Sequence, residues 1–140
     1  MSFANDVRNE LTRIMPERKC CRKAELSALL LTSAQIHCQE GSQYDLEVVV
    51  EKAATARKIF KMLKEQNLQP AVRMEKRKRF NKTRVYIVTA PLKEEQEFAT
   101  LEGLNIIDRN IKIKPAVNQE LIATSCCKKA FLRGVFLNRG

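Results

Sequence analysis

The stretch that decides the fold occurs twice, as CCRKAELSALLLTSA at residues 20–34 and as CCKKAFLRGVFLNRG at residues 126–140. Six of the fifteen aligned positions are identical, whereas chance would give about one. Each copy is almost wholly apolar after its basic pair, which predicts a helix buried on more than one side. Small residues at Ala28 and Gly134 would let two such helices approach closely. The spacing predicts two halves related by a pseudo-twofold axis rather than a solenoid.

Hydrophobic periodicity and turn residues predict the other elements on either side of the first copy. In chain order we expect a helix at about 2–15, a helix at 19–33, strands at 34–39 and 44–51, a helix at 52–66, strands at 71–80 and 83–90, a helix opened by Pro91 and ended by Gly103, an extended stretch at 106–114, and helices at 118–124 and from 126 to the end. This order predicts an α+β fold whose antiparallel sheet is covered by helices on one face.

Composition narrows the class of protein. The 140 residues suit one domain, and 44% hydrophobic with 30% charged residues excludes a disordered chain. No apolar run approaches the roughly 20 residues of a spanning helix, and the N-terminus does not resemble a signal peptide. We therefore expect a cytoplasmic protein that does not enter a membrane. Lys and Arg outnumber Asp and Glu by 26 to 16, and the resulting charge of +10 favours a polyanionic partner over a merely solvated surface.

Much of the positive charge lies in residues 73–84, here called the basic hairpin. Its cations are Arg73, Lys76, Arg77, Lys78, Arg79, Lys82 and Arg84, against Glu75 as the one acid. A narrow basic ribbon can enter the major groove of DNA, where lysines neutralise phosphates and arginines can also pair with guanine. The alternative is an exposed sheet edge protected by charge, which needs fewer cations. Low aromatic content, 6%, disfavours single-stranded RNA, so double-stranded DNA is the expected partner.

The five cysteines are not expected to form a disulfide framework, since their number is odd and the chain is expected in the cytosol. Two vicinal pairs, Cys20 with Cys21 and Cys126 with Cys127, offer a geometrically feasible zinc site. Adjacent cysteines do not easily ligate one tetrahedral ion, and there is no CxxC motif, so ordinary buried thiols are the favoured interpretation. We expect no metal and no cofactor.

The segment LRGVFLNRG at 132–140 resembles the LAGLIDADG motif of homing endonucleases, with direct matches at Leu132, Gly134 and Gly140. More specifically, MSFANDVRNEL, CCRKAELSALL, VYIV at 85–88 and CCKKAFLRGVFL are similar to the WhiA family of sporulation and cell-division regulators of Gram-positive bacteria. The resemblance covers essentially the whole chain. It implies a LAGLIDADG-type αββαββα fold, followed in a longer protein by a helix-turn-helix domain that this sequence lacks. Residues 1–125 would form an N-terminal helix and the first αββαββ half, and residues 126–140 would begin the second motif helix.

The residues that would cleave DNA are missing from both copies of the motif. LAGLIDADG nucleases carry an acid at the eighth motif position of each helix, and the two acids hold divalent metal ions. Here those positions are Ser33 and Arg139, and the sixth positions are Leu31 and Leu137. Glu25 has no acidic counterpart in the second copy. The expected contact between the motif helices involves Leu26, Ala28, Leu30, Leu132, Gly134 and Phe136.

The sequence therefore predicts a non-enzymatic DNA-binding domain of a transcriptional regulator, located in the cytoplasm on the nucleoid. Two alternatives stay open. One is a metal-dependent DNA endonuclease. The other is a protein–protein interaction module, with a homodimer through the motif helices as one form.

Overall fold

The computed structural model describes residues 7, 10–11, 15–39, 43–76, 84–104, 106–107, 122 and 124–139. Four helices and four strands lie within these ranges. They are α1 (Lys19–Ser33), β1 (Ala34–Gln39), β2 (Gln43–Val50), α2 (Ala53–Glu65), β3 (Ala71–Lys76), β4 (Arg84–Leu92), α3 (Glu95–Gly103) and α4 (Ser125–Arg139). From α1 to α3 the order is αββαββα, as predicted.

The four strands form one antiparallel sheet in the order β1-β2-β4-β3. Within it, Val48 on β2 faces Ala34 on β1 and Val88 on β4. All three are buried together with the apolar residues of α1 and α2, so this is the helix-covered face. The α+β fold with helices packed on an antiparallel sheet is thus confirmed.

The other face of the sheet, here called the outer face, is mixed. Asp45 and Glu47 on β2 lie there by register, and Glu47 Oε1 lies 3.3 Å from His37 Nε2. Val85 and Ile87 on β4 also point to this side and are buried. The outer face therefore is not an open, uniformly polar surface.

Local sequence explains where the helices end. After α2, Asn67 adopts a left-handed conformation with φ 64°, which asparagine tolerates better than most residues. The N–H of Leu68 then donates to the carbonyl of Leu63 at 3.2 Å, which closes the helix end. At the end of α1 the chain passes directly from Ser33 to Ala34, so no loop separates α1 from β1.

The expectation that Pro91 opens a helix is wrong. Pro91 lies within β4, opposite Asp45 of β2. The pairing of β4 with β3 stops at Thr89, which lies opposite Ala71, the first residue of β3. At Pro91, β4 therefore has a neighbour on one side only, and the missing N–H of proline is tolerated there. The helix begins four residues later, where the Glu97 carboxylate accepts hydrogen bonds from the backbone N–H groups of Lys93 and Glu94.

Several predicted segments fall wholly or partly outside the described residues. These are most of the N-terminal helix, of which Val7, Glu10 and Leu11 are helical, both hairpin turns, and the segment 108–121. None of the helices in the described part of the chain has the length and apolar character that crossing a bilayer requires.

Candidate functional site: the motif-helix pair and the basic hairpin

The motif helices α1 and α4 lie against each other and run in the same direction. Near their N-termini Cys21 and Ala24 pack with Cys127 and Ala130. One to two turns further along, Gly134 approaches so closely that a Cβ there would lie 2.6 Å from the carbonyl oxygen of Glu25 and 2.8 Å from the Cβ of Ala28. The two copies of the repeat thus meet backbone to backbone.

Of the residues predicted to lie between the motif helices, some do so and others do not. Ala28 and Gly134 meet at the point of closest approach, whereas Leu26 and Leu30 are buried in the core cluster with the sheet residues. Leu132 is 66% exposed, so its expected place between the motif helices is wrong. Phe136 is half-buried.

Sequence reasoning identified small residues of the contact, among them Ala28 and Gly134, but not the whole buried face of α4. On α4 the buried face runs through Cys127, Ala130, Gly134 and Leu137. Their spacing of three and four residues is that of one helical face, and this signal was available. The motif-based choice of Leu132 selected a position on a different face of α4.

A buried ionic cluster flanks the helix contact. The Lys58 ammonium donates to Glu25 Oε1 at 2.6 Å and to the carbonyl oxygen of Leu11 at 3.0 Å. Arg133 Nη1 lies 3.7 Å from Glu25 Oε2. Both carboxylate oxygens of Glu25 therefore face a cation. Glu25 is the one acidic residue of the two motif helices, and it is already engaged by Lys58 and Arg133.

Burial dominates the electrostatics of this ion pair. Loss of hydration raises the pKa of Glu25, although the hydrogen bond from Lys58 and the charge of Arg133 act in the opposite direction. Loss of hydration likewise lowers the pKa of Lys58 against the influence of Glu25. Each partner offsets part of the other's desolvation free energy. Removal of one partner therefore leaves the other as a buried charge whose desolvation is not compensated.

The two eighth motif positions carry no carboxylate. The Ser33 hydroxyl donates to the carbonyl oxygen of Leu29 at 2.6 Å. The side chain of Arg139 lies outside the described part of the chain. A metal ion held by paired acids, which phosphodiester hydrolysis of the nuclease type requires, has no ligands at these two positions.

At the opposite end of the motif helices the structure brings together four cysteines that are far apart in sequence. We call this group the cysteine cluster, and its members are Cys20, Cys21, Cys126 and Cys127. Their sulfur atoms all lie within 4.8 Å of one another. The sequence argument ranked joint metal binding by these residues below ordinary thiols, but the fold places them together.

The sulfurs of the cysteine cluster differ in environment. A hydrogen bond shared with the Thr124 hydroxyl, 3.2 Å away, together with one to Cys21 lowers the pKa of Cys126 to about 6. Burial raises the pKa of Cys21 to about 12. For Cys127 the Thr124 hydroxyl lowers the pKa, but burial and Cys20 outweigh it and the pKa is raised.

The described part of the basic hairpin lies at the edge of the sheet. All six residues of β3 are exposed, among them Val72 at 43% and Met74 at 53%. Lys76 stands directly opposite Arg84, and both are exposed. Arg73 is exposed as well and lies on the outer face with Glu75. The other four predicted cations, Arg77, Lys78, Arg79 and Lys82, lie outside the described residues.

Arg22, a basic residue near the start of α1, makes contacts within the protein. Arg22 Nε donates to the carbonyl oxygen of Pro16 at 2.6 Å, and its guanidinium forms an ion pair with Glu65 at 3.6 Å. These contacts connect α1 to the preceding chain and to α2. Arg22 is thus a structural residue, whereas Lys23 is exposed.

The αββαββα order with two parallel motif helices in close contact defines a LAGLIDADG-type domain, here without paired acids at the eighth motif positions. A solved N-terminal LAGLIDADG domain of WhiA matches 98% of this chain and 57% of its own length with a TM-score of 0.61 at 14% identity. A full-length WhiA structure from Thermatoga maritima matches 99% of this chain and 39% of its own length with a TM-score of 0.55 at 20% identity.

Residues 19–107 match the model of the WhiA N-terminal LAGLIDADG-like domain, and the chain belongs to this family. Proteins named "Probable cell division protein WhiA" are similar over the whole chain. The protein from Syntrophomonas wolfei is 45% identical and that from Desulforamulus reducens 37% identical. The chain spans 45% and 44% of these two relatives, less than half of their length.

Proposed function

We propose that this chain is the DNA-binding domain of a bacterial transcriptional regulator of the WhiA type, acting on the nucleoid in cell division and sporulation, and that it binds duplex DNA without cleaving it. The observation that carries the proposal is the exposed edge hairpin on which Lys76 directly faces Arg84, in a chain of net charge +10.

Like charges opposite each other on neighbouring strands destabilise a sheet. Within the described part of the chain, neither Lys76 nor Arg84 forms an ion pair with an acidic side chain, so this repulsion is not relieved there. A DNA phosphate would relieve it, and four further cations lie between these two residues in sequence. Edge protection alone would need one such charge.

The charges on the described residues favour the segment that joins β3 to β4 over the outer face as the contact with DNA. The outer face carries Asp45, Glu47 and Glu75, which repel phosphates, against Arg73 and a half-exposed His37 that is paired with Glu47. A contact with DNA across the whole outer face of the sheet is therefore disfavoured. The hairpin end can enter a groove on its own, because a two-stranded ribbon fits the major groove.

The test is a salt titration of binding to a labelled duplex. Replacing Arg77, Lys78 and Arg79 by Ala should weaken binding at least about tenfold and flatten the slope of log K against log salt by up to about 3, close to 0.9 for each phosphate that is no longer neutralised. The matched control removes three exposed charges elsewhere, in the variant R57A/K61A/K93A, and should bind almost as the parent does. Equal affinities and slopes for both triple variants would refute the role of the hairpin.

The proposal that the domain does not cleave DNA rests on the eighth motif positions and on Glu25. That carboxylate is held by Lys58 and Arg133, so binding a divalent metal there would require breaking a buried ion pair. Plasmid nicking assays with Mg²⁺ or Mn²⁺ should show no product. Nicking that a Glu25→Gln substitution abolished would favour the endonuclease alternative instead.

An interaction module is a second candidate, favoured by one observation. Leu132 is 66% exposed on α4, on a helix whose other face is buried against α1. An apolar side chain this exposed fits a contact with another protein surface, including a second copy of the chain. Light scattering of the parent and of Leu132→Gln would test it: a dimer that the substitution converts to monomer supports the module, and two identical masses exclude a homodimer through this face.

A further inference from the structure

The cysteine cluster has the dimensions of a tetrahedral thiolate site. A zinc–sulfur bond of about 2.3 Å in a tetrahedron places the sulfurs about 3.8 Å apart. The observed sulfurs lie within 4.8 Å of one another, so movements below about 1 Å would bring all four onto one ion. Such movements are within reach of side-chain rotation. The geometry thus answers the objection that adjacent cysteines cannot ligate one ion.

Several groups around the cluster favour negative charge, although burial acts against it. Both cysteine pairs lie in the first turn of a helix, and because α1 and α4 are parallel, the positive ends of both helix dipoles point to the same place. Arg18 Nη1 lies 3.7 Å from Cys126 Sγ. Four thiolates around a divalent cation carry a charge of about −2, and these groups offset it.

The burial of the cluster is graded, as expected of a site with an entry path. Cys21 and Cys127 are buried between the helices, Cys126 is half-buried, and Cys20 is exposed. Soft thiolate ligands select soft or borderline ions such as Zn²⁺ over Mg²⁺ or Ca²⁺. A set of four cysteines without an open position is typical of a structural site rather than a catalytic one.

We infer that the cysteine cluster binds one Zn²⁺ ion, which ties the N-terminal ends of the two motif helices together. Each thiol that becomes a ligand releases its proton to solvent, and neither sulfur nor metal changes oxidation state. The site lies about 18 Å along α1 from Ser33, since twelve residues separate Cys21 from the eighth motif position. It is therefore distinct from the position where nucleases of this fold hold their metals.

The inference is tested on the reduced chain with Co²⁺ and then Zn²⁺ as probes. Co²⁺ should produce the intense visible ligand-field bands of a tetrahedral tetrathiolate, saturate at one ion per chain, and be displaced by Zn²⁺. Zn²⁺ at about a hundredfold above Kd should raise the Tm by roughly 9 °C for a chain of this length. Bands of fewer thiolates, or a Tm that does not change with Zn²⁺, would overturn the inference.

Two variants separate the cluster from other cysteines. C20S/C126S changes the two less buried members and should weaken Zn²⁺ binding by more than about 100-fold, because even residues behind the ligands commonly contribute 10- to 100-fold. Cys38→Ser changes the exposed cysteine outside the cluster and should bind Zn²⁺ as the parent does. Unchanged binding in C20S/C126S would exclude the site. If the reduced parent binds no metal and only forms disulfides in air, the four cysteines are not a metal site and the inference fails.

Discussion

At the scale of single residues, Glu25 and Lys58 form the most consequential buried contact. They lie 33 positions apart in the chain, and neither had a sequence signal that pointed to the other. Glu25 was considered only as an acid near the motif, and Lys58 was not singled out. A pairing of this kind depends on how α1 packs on α2, which the local pattern does not encode.

Replacing Lys58 by Met should lower the free energy of unfolding by about 3–5 kcal/mol at neutral pH, because it leaves a buried carboxylate with one distant cation. The double variant E25Q/K58M should regain most of that loss. Denaturant titrations of the parent, K58M, E25Q and the double variant measure the coupling. Equal losses in the single and double variants would show that the ion pair is not responsible.

The same substitution gives a pH prediction with a definite sign. Without Lys58, burial raises the pKa of Glu25 in the folded state further above the ordinary value of 4.5. The folded variant then retains a proton that the unfolded chain releases, so the contribution of Glu25 to stability is most favourable below pH 4.5 and is lost as the pH rises through the folded-state pKa. The deficit relative to the parent should therefore be smaller at about pH 4 than at about pH 8. A deficit independent of pH would contradict this.

Gly134 is the residue on which the helix contact depends. Gly134→Ala would place a Cβ within 3.0 Å of two atoms of α1, and the backbones must separate to admit it. The substitution should cost about 1–3 kcal/mol despite the better helix propensity of alanine. Gly103→Ala is the matched control, since nothing lies within 4 Å of its added Cβ. Thermal unfolding of both proteins measures the difference, and similar Tm values would argue against a close contact.

At the scale of elements, local chemistry allowed accurate prediction where a single signal acted. The bounds predicted for α1 and β1 agree with the observed ones, because an apolar helix gives way abruptly to an alternating strand. Pro91 was misassigned since proline marks both a helix start and a one-sided strand end. The sequence could not show that the pairing of β4 with β3 stops at Thr89, so that β4 has no neighbour on that side at Pro91.

The facing pair on the hairpin predicts opposite effects on stability and on binding. Lys76→Ala removes a like-charge repulsion with Arg84 and should raise the free energy of unfolding by about 0.2–1 kcal/mol, while it weakens binding to duplex DNA. Arg73→Ala is the control for stability, because Arg73 faces the apolar Ile87 and gains no such relief. The two quantities are read from urea titration and fluorescence anisotropy. A Lys76→Ala protein that is less stable, or that binds DNA as before, would contradict the assignment.

At the scale of the whole molecule, the repeat was the most informative signal. It predicted that two distant segments would meet, and the close contact of α1 with α4 confirms that part. The repeat also placed a double cysteine at the start of each copy, so the cysteine cluster follows from the parallel packing of the helices. Sequence reasoning stopped short of it because the distance between sulfurs depends on side-chain rotamers as well as on register.

Net charge makes a prediction about selectivity. A chain of charge +10 that contacts phosphates should bind unrelated duplexes of equal length with affinities within about threefold of one another, since phosphate contacts carry no base sequence. Sequence-specific proteins discriminate by at least about 10³. Competition of a labelled duplex with a panel of unlabelled ones is the measurement. One competitor that outperformed the rest a thousandfold would assign base readout to this domain.

The direct passage from Ser33 into Ala34 has a mechanical consequence. No loop separates α1 from β1, an edge strand of the sheet. A rotation of α1 about its axis would therefore be transmitted directly to β1 and, through the hydrogen bonds between strands, to β3 and β4. A force applied at one end of the motif helices would thus reorient the charged ribbon as part of one lever, without a hinge to absorb it.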